Sequence, residues 1–439
     1  MATAPVGWYR QLAGVSAVAL CIRVTYVLVS KRHAVPAGDA FYFHLQADLL
    51  VTGKGWFIDP WAWSLHHAVV QSAYHPPLWT LVLALPAALG AQSFLSQLLW
   101  SCVVGSAAVA VTGLAARHAA GPRAGLLAAA IAAVYPNYWL NDGSGLSETL
   151  VLLLVAAVVL VSYQLWRSPS LTRGALLGAL CALAALTRAE LALLVPLVLV
   201  PVCLVARHAD LRRRVALAAT GITVALLTVA PWIGFNLSRF DHVELISSEF
   251  GTGLASANCN STYYGPFIGY WSFACQSRRD CGVVPVQADE SEADVRCRSI
   301  GWAYIRHQSS QLPVVTLARV GREFGFFAPI QQLNLDGGFP RLMSFEQRPF
   351  DWAVVGLGMY YCLLAAAVGG VVLLRRRGAT VLPLVGVLVN VVVAAMLLYG
   401  STRFRTPFEV VLAILGGVAL ERGLKLVRRG RRQPDPTSV

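Results

Sequence analysis

Residues 147–166 read SETLVLLLVAAVVLVSYQLW, and this stretch decides the fold class. Apart from Glu148 near its start, the run carries no charged residue. A helix rises about 1.5 Å per residue, so a run of this length covers about 30 Å, the thickness of bilayer hydrocarbon. It is read as a membrane-spanning helix, with Glu148 suited to the positive end of its dipole.

Working outward, comparable apolar runs lie at roughly 12–30, 76–92, 94–116, 124–140, 173–187, 190–206, 215–235, 352–374, 379–399 and 407–424. The composition agrees, with 56% hydrophobic and only 13% charged residues in 439. A soluble globular chain carries about a quarter charged residues, so the excess apolar surface is expected to face lipid. The reading is an all-α, polytopic transmembrane bundle of about 10–11 apolar segments. It divides into an N-terminal transmembrane module (1–235), a long loop (236–351) and C-terminal helices with a basic tail (352–439). The first run, from Leu12 to Ser30, lacks a small-residue cleavage site after it and reads as a signal anchor.

The net charge of +13 is almost all arginine, Lys31, Lys54 and Lys425 being the lysines. With the abundant Ala and Val, this points to a GC-rich bacterial genome and hence a bacterial plasma membrane. The basic residues gather between apolar runs, at Arg117–Arg123, Arg167–Arg173, Arg207–Arg214, Arg375–Arg377 and Arg428–Arg432. That is the positive-inside pattern of membrane proteins rather than a nucleic-acid footprint. The intervening connections, including the long loop, are then extracytoplasmic. Eleven crossings cannot leave both termini inside, so one early run is expected not to cross. The 76–92 run, with Pro76, Pro77 and Pro86, is the first suspect and 124–140 the alternative.

Cysteine placement sides the loop independently. Cys21, Cys102, Cys181, Cys203 and Cys362 fall in apolar runs, whereas Cys259, Cys275, Cys281 and Cys297 all fall in the long loop. Four cysteines so close together imply two disulfides and an oxidising compartment. Neighbour pairing, Cys259–Cys275 and Cys281–Cys297, is the simplest of three connectivities. A zinc site is the rival reading, but no CxxC pair is present and His307 is distant.

The connection 31–75 is rich in residues that carry chemistry: Asp39, Asp48 and Asp59, and His33, His44, His66, His67 and His75. Pro36-Ala-Gly38-Asp39 followed by AFYFHLQADLL predicts a helix start, with Phe41, Phe43, Leu45, Leu49 and Leu50 letting the helix lie in the interface. Trp56, Trp61 and Trp63 suit the same belt. Asp39 reads as an N-cap, as a general base at the membrane surface, or as both. Asp48 and Asp59 read as solvated loop carboxylates. His44 and Asp48 stand at i,i+4, a spacing that clamps an ion, but no metal is assigned. His75-Pro76-Pro77 sets a cation on a rigid turn at the membrane surface. Arg188 and Glu190 in LTRAE either pair with each other or serve the same face. Arg403 and Arg405 in GSTRFRTP run against the positive-inside trend, as anchors to phospholipid or as bidentate phosphate binders.

Taken in order, GDAFYFH, HPPLWTLVLALPAALG, YPNYWLNDGSGLSETL, LTRAELALLVPL, APWIGFNLSRF, GTGLASANC and STRFRTPFE resemble the glycosyltransferase C superfamily. Within it, the chain is similar to bacterial membrane proteins of the protein-mannosyltransferase type (family 39). The resemblance implies an inverting transfer of sugar from a polyprenyl-phosphate donor to a glycan, lipid or protein acceptor on the outer face. It implies Asp39 as catalytic base, His75 near the donor phosphate, and outer arginines at that phosphate, where Arg403 or Arg405 matches by position; Arg188, Tyr42 and His44 are taken with them as further substrate-binding candidates. No cofactor is implied, and no Gly-rich nucleotide fingerprint appears. The chain departs from the family pattern at Ala40, where a second acidic residue often follows the first, and at Phe235-Asn236, where Arg-Asn is frequent.

Two other readings share the composition. A flippase for lipid-linked intermediates calls for internal repeats and midplane charges. No repeat is seen, and the ionisable residues lie at span ends. A non-catalytic assembly subunit leaves Asp39 and the arginines freely replaceable.

Overall fold

The computed structural model describes residues 6–275, 281, 289–337 and 346–430, so the end of the basic tail lies outside the described residues. Among these the regular elements are helices, with one isolated bridge between Ile58 and Gln71. Among the described residues, five helical segments are long and apolar enough to cross a membrane: Gly7–Lys31, Phe94–Ala120, Glu148–Arg167, Leu211–Leu237 and Phe350–Arg376. Leu78–Ala88, Pro122–Val134, Leu171–Ala185, Ala189–Leu204 and Leu382–Leu397 are apolar but shorter.

The arginine-bearing turns meet at one end of the bundle. Arg167 donates to the Ala119 carbonyl (3.3 Å), Arg377 to Ala120 (2.9 Å), Arg207 to Gly378 (2.5 Å) and Arg213 to Pro169 (3.1 Å). Trp8 joins them by donating to the Pro122 carbonyl (2.8 Å), under the Arg117 guanidinium (4.4 Å). Guanidinium groups at helix C-termini satisfy carbonyls that the helix leaves open. Glu148 starts its helix at the opposite end, about 30 Å away by helix rise. The 76–92 run contributes only the helix Leu78–Ala88, which has Pro86 inside and rises about 16 Å, half the hydrocarbon thickness. The chain begins Phe94–Ala120 at the end it left after Gly7–Lys31, because Phe94 packs on His44 (5.4 Å).

The core is built on Thr406–Gly430, whose residues Val410 to Leu415 and Val418 are all buried. It packs against Pro122–Val134, Phe350–Arg376 and Glu148–Arg167. The buried face of Pro122–Val134 is Ala124, Ala128, Ala129, Ala132 and Ala133, small residues that let backbones approach. Leu171–Ala185 meets Leu211–Leu237 more closely still. A Cβ at Gly178 would stand 2.0 Å from the Gly221 carbonyl oxygen. A buried ion pair, Arg23–Asp142 at 2.8 Å, ties the first span to the turn before Glu148, and Thr149 donates to the same carboxylate.

Asp39–Val51 does not lie flat in an interface. Ala40, Tyr42, Phe43, Gln46, Ala47 and Leu49 are buried, because Pro60–His66 and Leu78–Ala88 pack over it. Tyr42 packs against Trp61 in that cover, with ring centres 5.3 Å apart and planes tilted by 49°.

The segment after Leu237 folds back over the same end. Glu249–Ala257 packs on Glu290–His307, and the Ala73 amide donates to Glu290 (3.0 Å), tying this unit to the first loop. Ser248 donates to the other Glu290 oxygen. Cys259 pairs with Cys275 and Cys281 with Cys297, at Cα separations of 5.6 and 5.3 Å.

Candidate functional site

Where these loops converge lies a cavity of about 330 Å³. Its polar floor holds Asp39, His75, Arg188, Glu190, Glu249 and Arg403. One wall is apolar, made by Ala192 and Leu193 on one side and Ala394, Leu397 and Leu398 on the other.

Each floor residue is held by an identifiable local device. Gly38 turns the chain at φ 55°, a left-handed value that suits glycine, and the helix begins at Asp39. Asp39 therefore stands one position inside the N-cap, and its carboxylate caps nothing. It reaches instead to Arg403 Nη1 at 2.8 Å and lies 3.5 Å from His75 Nε2. His75 precedes Pro76, whose ring restricts its backbone to extended conformations, and Pro77 stiffens the turn that follows. Its ring lies over Phe43 (4.7 Å, 25° between planes) and edge-on to Tyr42 (4.9 Å). Its Nδ1 meets Glu249 Oε2 at 3.0 Å, from the first turn of Glu249–Ala257.

Behind the floor, Glu148 is fully buried and joins two arginines. Its Oε1 accepts from Arg188 Nη1 at 2.6 Å and from Arg403 Nε at 2.7 Å. Arg188 also pairs with Glu190 at 2.5 Å and lies over the Phe404 ring (4.7 Å). An isolated carboxylate at this depth is strongly disfavoured, and two hydrogen-bonded cations remove that penalty while fixing both guanidinium planes. Burial alone raises the Asp39 carboxyl, but Arg403 and His75 outweigh it and hold the group well below the usual carboxylate range. Burial alone lowers the His75 imidazole, yet Glu249 and Asp39 raise it to about 9.

The structure thus brings Asp39, His75, Arg188 and Arg403 to one cavity. Three other residues picked out in the sequence stand apart. Arg405 is buried, pairs with Glu409 at 2.8 Å, donates to the Glu323 carbonyl and lies over Tyr360 (3.8 Å). Tyr42 backs the His75 ring and shares a hydroxyl contact with Ser72 (2.9 Å). His44 is beside Gln97 (3.0 Å) and 3.9 Å from Asp48. Asp59 is not a free loop carboxylate but the N-cap of Pro60–His66, accepting from the Trp61 amide at 2.8 Å.

Sequence reasoning passed over Glu249 and Tyr399, which both line the cavity, and saw Glu148 only as a helix-start residue. Glu249 lies two positions before the GTGLASANC segment, and nothing local marks it. Its partner is 174 positions away in the chain.

Comparison with known proteins gives a class for this fold. Residues 74–235 match the family model described as dolichyl-phosphate-mannose-protein mannosyltransferase. The oligosaccharyltransferase of Archaeoglobus fulgidus, tethered to an acceptor peptide containing the NVT sequon, superposes with TM-score 0.57 at 14% identity, over 96% of this chain and 50% of that one. The oligosaccharyltransferase AglB from the same organism, in complex with an inhibitory peptide and a dolichol-phosphate, gives 0.54 at 14% identity, over 98% and 52%. ArnT from Cupriavidus metallidurans, bound to undecaprenyl phosphate, gives 0.46 at 16%, over 99% and 82%. No curated protein matches the sequence. The chain spans about half the length of the oligosaccharyltransferase it matches. Its fold is similar to that of the glycosyltransferase C membrane proteins, a multi-pass helical architecture.

Proposed function

We propose that this chain transfers a sugar from a polyprenyl-phosphate donor to an acceptor hydroxyl or amide at the extracytoplasmic face of a bacterial plasma membrane. The observation that carries the reading is the cavity itself. Three cations, His75, Arg188 and Arg403, meet three carboxylates, Asp39, Glu190 and Glu249, on its floor beside an apolar wall. A lipid-linked phospho-sugar has the matching division, with an apolar tail, an anionic phosphate and a polar sugar. The dolichol-phosphate bound by the oligosaccharyltransferase of similar fold supports the same ligand class.

In this reading Arg403, Arg188 and His75 take the donor phosphate. Preorganised charge of this kind is often the largest catalytic contribution, here stabilising the departing polyprenyl phosphate. Asp39 accepts the acceptor's proton as its oxygen or nitrogen bonds to the anomeric carbon. The bond from that carbon to the phosphate oxygen breaks, and its electron pair leaves with the polyprenyl phosphate. Displacement from the opposite side inverts the anomeric centre. At rest Asp39 is a weak base, because Arg403 and His75 are both turned on it. A phosphate that draws those cations to itself returns basicity to Asp39, so the base becomes competent only when the donor is bound.

The test is transfer of label from a radiolabelled polyprenyl-phosphate sugar to membrane acceptors by purified protein. Asp39→Asn is expected to lower the rate by about 10²–10⁴-fold, the range for a lost general base. Transfer at the unaltered rate in Asp39→Asn of normal abundance would remove Asp39 from this role.

A further inference from the structure

Histidine is an unobvious choice for a cation at a phosphate site, since a free imidazole titrates near pH 6.5 and is mostly neutral above it. The surroundings of His75 resolve this. Its two ring nitrogens face two carboxylates, Glu249 Oε2 at 3.0 Å from Nδ1 and Asp39 Oδ1 at 3.5 Å from Nε2. A neutral ring carries one proton, so one nitrogen would present a lone pair to a carboxylate. Only the doubly protonated ring offers an N–H in both directions. Nε2 is buried with Asp39 Oδ1 3.5 Å away, too loosely placed for a good hydrogen bond, and His75 lines the cavity where an incoming anion would compete for that N–H.

We propose that Glu249 is the positioning residue that keeps His75 protonated and its Nε2–H aimed at the donor phosphate, so that a histidine serves as a standing cation. The proposal rests on the transfer reading above and adds the residue that makes its His75 contact work. The division of labour follows from geometry. When a phosphate displaces Asp39 from Nε2 and Arg403, Glu249 still holds Nδ1 from the other side, so the ring stays charged while the leaving group departs. Glu249 is partly exposed and reaches this position from the first turn of Glu249–Ala257, while His75 stays fixed by Phe43, Tyr42 and the following proline.

The groups facing His75 can be named by element. Asp39, Tyr42 and Phe43 come from Asp39–Val51, Tyr74 from its own loop (ring 4.9 Å away) and Glu249 from Glu249–Ala257. Beyond them Arg403 holds the other Asp39 oxygen and Glu290 meets Ser248 and the Ala73 amide. The value of about 9 for His75 accords with this, burial lowering it and Glu249 and Asp39 more than offsetting burial. The sign follows: a folded value above the unfolded one means the ion pairs stabilise fully below about pH 6.5 and are lost as pH rises through about 9.

The experiment uses the full chain in detergent with ¹³Cε1-labelled histidine, the His75 signal being assigned by its loss in His75→Gln. The wild-type signal is expected to titrate near 9. In Glu249→Gln the midpoint is expected to fall by about one pH unit or more, a tenfold change in proton affinity. Glu249→Asp, which keeps the charge, is expected to fall in between and serves if Glu249→Gln does not fold. In the transfer assay at pH 8, Glu249→Gln is expected to lose about half of its activity or more, and Glu249→Gln with His75→Lys to regain most of it, because lysine is charged without help. A His75 midpoint that Glu249→Gln leaves within about 0.3 pH unit of wild type overturns the proposal. Absence of label transfer by every protein, with the midpoint shifted as expected, sinks the transfer reading instead.

Discussion

Arg403 holds two carboxylates with one guanidinium, and that geometry separates it from its neighbour Arg405. Its Nη1 meets Asp39 and its Nε meets Glu148, while the side chain remains partly open to the cavity. Lysine offers one charge but no planar fork, so it cannot reproduce both contacts at once. Arg403→Lys is therefore expected to lower transfer by about 10–100-fold, consistent with losing about 1.5–3 kcal/mol of charge-assisted hydrogen bonding. Thermal melting should change far less than activity. Arg405 should show the reverse. It is closed off with Glu409 and Tyr360, so Arg405→Ala leaves a buried carboxylate unpaired and is expected to destabilise by about 3–5 kcal/mol. A lowered melting temperature with unchanged donor KM in the surviving protein checks this. If Arg405→Ala instead raises KM with no loss of stability, Arg405 belongs to the site. The two arginines are two positions apart and read alike in the sequence. A turn in the chain at residues 401–405 sends one to the cavity and the other to the core.

Among elements, the contact between Leu171–Ala185 and Leu211–Leu237 depends most on a single side chain being absent. Gly178 sits against the Gly221 carbonyl with no room for a methyl group. Gly178→Leu must part the two helices, and overpacking of this kind costs about 1–3 kcal/mol or more where backbone has to move. The outcome to measure is the melting temperature in detergent. Because Arg188 follows directly on Leu171–Ala185, transfer activity should fall along with it. Unchanged melting in Gly178→Leu would mean that these helices do not meet as described. The helix lengths were readable from apolar runs, but their breaks were not always. The 124–140 run divides at Pro136, and the 190–206 run is made of 3₁₀, π and α turns around Pro196 and Pro201. In lipid, such irregular backbone is tolerated where neighbouring protein covers it.

At the scale of the whole molecule, the basic turns and the cavity occupy opposite ends of the bundle. Reporter fusions after residues 170 and 378 should therefore report the cytoplasm, and fusions after residue 245 the opposite compartment. Agreement of all three on one side would overturn the topology. The disulfides give a second check, since thiol labelling of unreduced protein should spare Cys259, Cys275, Cys281 and Cys297. Their bridges pin the unit that supplies Glu249, so reduction is expected to weaken donor binding without unfolding the bundle. That predicts a raised KM with melting of the helical core little changed.

The helical membrane class followed from the sequence alone, because twenty apolar residues have few ways to satisfy their backbone in lipid. Asp39, His75, Arg188 and Arg403 were legible as candidates for a related reason. Ionisable groups beside apolar runs are costly enough to stand out from their surroundings. Their meeting was not legible. Asp39 and Arg403 are 364 positions apart, and local spacing carries no signal of contact at that range. Only the tertiary structure decided that Glu148 joins two arginines, that Glu249 faces His75, and that Arg405 turns inward. These are properties of how distant segments pack, and each is fixed by the electrostatic demand that a buried charge find its partner.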